Sequence, residues 1–267
     1  MTGGEGVWLY AVTDAATVDD HRAGMTDVTK MIGVAGEPLR LVGAGSLTAV
    51  VGSVPLAVFG EQPLHQNLED LDWLDGVART HDAVVSAVAR RGPTVPMRLA
   101  TVFLDDERVR ALLDERRADF ESALTLVTDR TEWGVKGYGD RAALTAAVAE
   151  TSTPDRGGTG TAYLLRRRAQ LSAQDTIEQE TAERVEKIHE LLVREAAAGR
   201  RQPATDPALS RTSDWMVLNG SYLVDDDRAE AFAETVATLG ERFPGVRLEL
   251  TGPWPPYSFA GVGRDPE

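Results

Sequence analysis

The chain has 267 residues, with 42 acidic side chains against 28 Lys or Arg and a formal net charge of −14. At 42% hydrophobic and 26% charged residues it can bury a core, its length suits two ordinary domains, and its negative field disfavours nucleic acid. It has no cysteine, no apolar run near the roughly 20 residues that span a bilayer and no basic-then-apolar start, so we expect no disulfide, thiolate site or membrane span, and a cytosolic protein.

In chain order, Val7, Leu9 and Ala11 alternate with Trp8, Tyr10 and Val12 in a β-prone run. This predicts a first strand buried on both faces. Residues 14–35 are weakly patterned and read as a loop or short helix. Leu39–Val42 and Ser46–Val51, separated by Gly43–Gly45, predict a hairpin whose turn uses glycine to reach positive φ. Pro55–Gln66 carries Pro55, Gly60 and Pro63 and reads as a connection.

Leu71, Leu74, Val77, Ala78, His81, Val84, Val85 and Val88 then recur at three- and four-residue steps, the stripe of an amphipathic helix. Asp72, Asp75, Arg79, Asp82, Ser86 and Arg90 fall mostly on the wet side. Arg90 and Arg91 suit the negative end of the helix dipole, Gly92 stands at the usual left-handed cap position, and Pro93 forbids continuation. From Val95 to Ala100 a two-residue period predicts a short strand, at a sheet edge because of Pro96. Asp105, Asp106 and Glu107 crowd the start of the next helix, read as one long helix over 105–128.

In the second half, Trp133, Val135 and Gly137 predict a strand. Thr153–Gly160 has linker composition. A long, heavily charged helix follows over about 161–197, with sparse apolar positions at Leu164, Leu171, Val185, Ile188 and Leu192, so it should project or pack by one narrow seam. Met216, Leu218, Gly220 and Tyr222 mark a strand, Ala229–Leu239 an amphipathic helix, and Val246, Leu248 and Leu250 a closing strand. Strand, helix, strand, helix, strand is most of a ferredoxin-like pattern.

The chemistry-bearing candidates are few. His81 lies on an apolar stripe, yet no second His or Cys stands near it, which favours a buried, hydrogen-bonded histidine over a catalyst. His21, His65 and His189 share no ligand spacing, so no metal is expected. Gly157–Thr161 lacks the ending of a phosphate-binding loop and reads as a linker. Arg166–Arg168 face Glu178, Glu180, Glu183 and Glu186 along one helix and read as a solvated ion-pair face. The aromatic, proline-rich Gly252–Phe259 is either a strap over a sheet or an exposed contact surface. No set of nucleophile, base and oxyanion donors emerges, so the chain does not read as an enzyme.

One segment carries a resemblance. The His81 helix leads into Arg91–Phe103, RGPTVPMRLATVF, which resembles the RGPVLPLRFGTVF-like sequence of the gas vesicle accessory family GvpF/GvpL. Glu132–Tyr138 (EWGVKGY), Ala162–Arg168 (AYLLRRR) and the Tyr222–Ala260 ending resemble further family segments in the same order. The resemblance implies an α+β fold with two domains, 1–130 and 131–267, the C-terminal one a modified ferredoxin-like fold with a long inserted or projecting helix. It implies a minor vesicle component or assembly factor, in the gas vesicle or cytoplasm, that contacts the shell protein GvpA and other accessory proteins. No cofactor, metal, nucleic acid, membrane or small-molecule substrate is expected. Candidate contact residues are His81, Arg91, Pro93, Pro96, Arg98 and Phe103. Met97-Arg98-Leu99-Ala100 departs from the family's usual Leu-Arg-Phe-Gly, which puts the local backbone in question. The competing reading is a small-molecule or nucleotide-binding enzyme or sensing module of α+β class, using His81 and the glycine-rich segment.

Overall fold

The computed structural model describes residues 4–20, 27–140, 162–203 and 215–261, of which 19–20 and 162–177 are described by backbone alone. It is an α+β protein whose chain divides into two compact units, residues 1–131 with 254–267, and residues 132–253.

The first unit is built around β1 (Glu5–Asp14). It lies inside an antiparallel sheet of order β2-β3-β1-β4, where β2 is Leu39–Ala44, β3 is Leu47–Pro55 and β4 is Thr94–Pro96. A two-residue β5 (Val102–Phe103) also pairs with β1. Every residue from Gly6 to Thr13 is buried, as expected of a strand covered on both faces. A bulge between Leu9 and Ala11 shifts the register against β3, so Leu9 and Val12 enter one core while Trp8, Tyr10 and Ala11 all enter the other.

The second of those cores is closed by α4 (Leu71–Ala89), whose N-cap Asp70 accepts from the backbone of Asp72 and Trp73. The predicted stripe is buried from Val77 onward, where Val77, His81, Val84, Val85 and Val88 point inward, but Leu74 and Ala78 are only half-buried and its first residue, Leu71, is exposed. The first core is closed by α5 (Asp106–Glu115) and α6 (Arg117–Val127), through Val109, Leu113, Phe120 and Leu124.

Four expectations need correction. Pro55–Gln66 is not an irregular connection but holds two short helices, α2 (Leu56–Phe59) and α3 (Glu61–Asn67), which bury Phe59 and Leu64. The single helix over 105–128 is two, because Arg116 leaves helical geometry at φ −111°, ψ 23°. Next to that break, Arg117 donates to the Ala44 carbonyl at 3.1 Å and to Ser46 Oγ at 3.1 Å, which holds α6 over the β2–β3 turn. Gly92 is not a left-handed cap. It is a close approach, since a Cβ there would lie 2.7 Å from Thr17 Oγ1. The strand predicted from Val95 to Ala100 ends at Pro96, and the chain turns through Arg98–Thr101 before β5. The edge position foreseen from Pro96 holds.

In the second unit β6 (Arg130–Gly139), α7 (Ala162–Glu195), β7 (Ala198–Arg201), β8 (Trp215–Asp225), α8 (Ala229–Arg242) and β9 (Val246–Trp254) follow in sequence, and the sheet order is β7-β8-β6-β9. Where its side chains are described, α7 packs by a narrow seam of Val185, Ile188 and Leu192 against Val135, Leu218, Tyr222 and Phe232. Thr153–Thr161 lies outside the described residues, as do the side chains of Leu164, Leu171 and Arg166–Arg168. The C-terminal segment buries Phe259 and Ala260, the latter in the first core, so it groups with the first unit rather than with the strand preceding it.

Ala100 sits at φ 67°, the left-handed region that disfavours a Cβ. This is the position where the resembling family often has glycine, so the backbone keeps a glycine-like bend under an alanine. Ala100→Gly should therefore stabilise the chain by roughly 0.5–1 kcal/mol after the entropy of glycine is counted, read as a higher midpoint in urea with unchanged slope. A lower midpoint would contradict this.

Candidate functional site

The segment that carries the resemblance is held to β1 and α4 by a buried chain of polar contacts. Trp8 Nε1–H donates to His81 Nδ1 at 3.0 Å, and His81 Nε2 lies 3.1 Å from the Met97 carbonyl. Because an indole N–H only donates, Nδ1 must be the bare nitrogen. Nε2 then carries the proton and donates it to Met97. His81 is thus a neutral imidazole in a fixed tautomer, only 2% exposed, with both nitrogens occupied. Burial holds its pKa below the ordinary 6.5, opposed in part by the Met97 carbonyl and Asp82. Such a group has no free nitrogen with which to take or give a substrate proton.

A second link continues from the same cluster. The Tyr10 ring stacks on His81 at 5.4 Å and 25°, and its hydroxyl donates to Glu37 Oε1 at 2.7 Å while accepting from Val34 N at 2.8 Å. Glu37 Oε2 accepts from Ala35 N at 2.7 Å. Burial, and then the Glu37 carboxylate, push the Tyr10 hydroxyl pKa upward. Gly33 and Gly52 leave room for this carboxylate: a Cβ at either would lie within about 2 Å of Glu37 Oε1, at 2.0 Å and 2.2 Å.

The six predicted contact residues are distributed unevenly along this frame. His81 and Pro96 are buried and serve the interior. Pro93 is half-buried, and its carbonyl accepts from Thr13 Oγ1 at 2.8 Å, which pins the turn to the end of β1. Arg91 is half-buried, donates from Nη1 to the Ala87 carbonyl, and has its Nε buried without a partner. Phe103 is half-buried against the first core. Arg98 is exposed at the turn between β4 and β5. Among the described residues no group of His, Cys, Asp or Glu is arranged to hold a metal ion.

Sequence reasoning missed Trp8, Tyr10 and Glu37 as members of this cluster. The one legible signal was a Glu set among Gly33, Gly36 and Gly52, visible only once the strands are paired.

The model of the family described as gas vesicle synthesis protein GvpL/GvpF matches residues 6–261. The chain belongs to this family. Its relatives include gas vesicle protein L of a Streptomyces species, 43% identical over 233 residues and 87% of each chain. Gas vesicle protein F from the same source is 29% identical over 85% of this chain and 90% of its own. The fold of this GvpL/GvpF family member is also that of crystalline GvpF from Anabaena, with TM-score 0.67, 17% identity and 99% of both chains covered. GvpF from Microcystis aeruginosa gives TM-score 0.61 at 16% identity over 96% of this chain and 98% of its own.

The tautomer sets a pH dependence. The native state excludes a proton that the unfolded chain binds below about pH 6.5, so the contribution of His81 is complete above that pH and declines as pH falls toward the lowered native value. The slope is at most about 1.4 kcal/mol per pH unit. His81→Gln can accept from Trp8 and donate to Met97 without titrating. Its melting temperature should fall less than that of the natural chain between pH 6.5 and 5, and parallel declines would contradict the assignment. His81→Ala, which orphans the Trp8 N–H and opens a cavity, should cost about 3 kcal/mol in urea unfolding.

Proposed function

We propose that this chain is a gas vesicle accessory protein, a minor vesicle component or assembly factor that contacts the main shell protein GvpA and other accessory proteins. The observation that carries this reading is the family match across residues 6–261, which includes the segment fixed by His81. A shell that keeps liquid water from a gas space needs subunits with a very apolar face, and such subunits aggregate until placed. An acidic protein with a rigid contact surface suits the task of holding them. On this reading the protein works without catalysis, in the cytoplasm or on the vesicle. Among the described residues no helix is long and apolar enough to cross a membrane.

We assign the contact to the first unit and to residues 91–103. His81 and Pro96 have too little surface to touch a partner, so the contact passes to Arg91, Pro93, Arg98 and Phe103. The edge formed by β4 and β5 is interrupted by the turn at Arg98–Thr101, which favours recognition by side chains over an added strand. For the second unit we propose a modified ferredoxin-like fold spanning most of 131–267. Its support is the strand order β7-β8-β6-β9 with α7 and α8 in the two crossovers.

The test is co-expression with GvpA of the same organism, followed by co-purification. Arg98→Glu should lower recovery of GvpA about tenfold, the effect of about 1.4 kcal/mol, with the melting temperature unchanged. Arg79→Glu, an exposed control on α4, should leave recovery intact. Equal recovery with Arg98→Glu would refute the contact surface, and no recovery with the natural chain would refute direct contact with GvpA.

A further inference from the structure

All six large hydrophobic side chains exposed among the described residues belong to the first unit: Ile32, Val58, Leu71, Leu104, Trp254 and Tyr257. Three of them gather at the N-terminal end of β1. Leu71 is 77% exposed, Leu104 66% and Val58 37%. The Phe59 and Trp73 rings meet at 5.6 Å, which sets Val58 beside the start of α4, where Leu71 is the first residue. Leu56 N donates to the Gly4 carbonyl at 2.9 Å. A Cβ on Gly6 would lie 2.7 Å from Leu56 and 3.1 Å from the Phe103 carbonyl, so α2 and the residue before Leu104 meet over that glycine.

The charge around these side chains has one dominant sign. Glu61, Glu69 and Asp72 are exposed and form no ion pair among the described residues, and Glu5 adds a fourth such carboxylate. Of the cations on α4 and α5, Arg79 pairs with Asp75 and Arg110 with Glu107, while Arg108 on α5 and Arg98 on the turn before β5 are exposed without an ion pair among the described residues. Exposed apolar side chains with an acidic rim fit a partner of opposite pattern. β5 is two residues long, too short to template an added strand.

We propose that this end of the first unit docks an amphipathic helix of a partner protein, its apolar stripe on Val58, Leu71 and Leu104 and its Lys or Arg flanks against Glu61, Glu69 and Asp72. The inference rests on the reading of this chain as a partner-binding accessory protein and names the partner's chemistry. It uses the end of β1 opposite to Pro93, which is tied to Thr13.

The experiment measures fluorescence anisotropy of a labelled synthetic helix of about 18 residues, or five turns, titrated with the full chain. One helix has a leucine stripe with lysine flanks, and a second has the same stripe with glutamate flanks. The lysine helix should bind, weaken as salt rises, and bind at least about tenfold tighter than the glutamate helix. Leu71→Ser with Leu104→Ser keeps the net charge and should weaken binding about tenfold at unchanged melting temperature. Glu61→Lys with Glu69→Lys should weaken it similarly, whereas Glu234→Lys with Glu241→Lys in the second unit should not. Unchanged binding by the serine pair, or an equal loss from the second-unit pair, overturns the proposal. If the helix fails to bind while GvpA recovery still depends on Arg98, this inference falls and the accessory reading stands. If the helix binds and GvpA is not recovered, the docking site stands and direct contact with GvpA falls.

Discussion

The first unit depends on one buried imidazole that is fully used. His81 accepts from Trp8 on β1 and donates to the Met97 carbonyl just beyond β4, so a strand, a helix and the segment that carries the sequence resemblance are tied at one point. Neither bond can be given up cheaply. A buried donor or acceptor left unpaired costs about 1–3 kcal/mol, and the apolar surroundings offer no substitute. The same bond that fixes the Met97 carbonyl leaves its amide to donate to Tyr10 O at 2.9 Å, while Leu9 N donates to Thr101 O at 2.9 Å. The chain between these two anchors must bow outward, which is why Arg98 stands at the surface and Ala100 takes a left-handed conformation.

The bulge in β1 makes this arrangement possible. Strict alternation would send Ala11 to the face of Leu9, yet the register shift keeps Trp8, Tyr10 and Ala11 together on the side of α4. Tyr10 can then stack on His81 and still reach Glu37. That carboxylate fastens residues 33–37 to the sheet, and it fits because Gly33 and Gly52 leave the space empty of side chains. A rigid frame of this kind holds residues 91–103 in one conformation, so the contact we propose for them carries little ordering cost.

Much of this was legible in the sequence, for reasons that are local. The stripe of Val77–Val88, the two-faced burial of β1 and the acidic start of α5 follow from spacing and helix-end electrostatics, whereas Leu71, counted on the same stripe, is exposed. His81 read as a buried hydrogen-bonded residue because it lies on the apolar stripe with no second His or Cys near it. What was not legible came from contacts distant in the chain. Nothing near Trp8 announces a partner 73 residues away. The break at Arg116 occurs beside Arg117, which clamps a turn more than 70 residues earlier. The C-terminal segment could be read as strap or as contact surface, and it has both characters. Pro255, Pro256 and Phe259 are buried, whereas Trp254 and Tyr257 remain exposed, the latter with its hydroxyl donating to Asp82 at 3.2 Å.

The chain belongs to the GvpL/GvpF family and shares the fold of GvpF, and its segment 91–103 is fixed on the interior side by His81, with the outer side the contact surface we propose. The most direct test of this account is a long-range proton–nitrogen NMR spectrum of the His81 ring, with the folded chain titrated from pH 7.5 to 5.5. The account predicts a bare Nδ1 and a protonated Nε2 at pH 7.5, with conversion to imidazolium displaced below the ordinary histidine value. A proton on Nδ1, or titration near the ordinary histidine value, would contradict it, because Trp8 could not then donate to the ring and Met97 would lose its anchor.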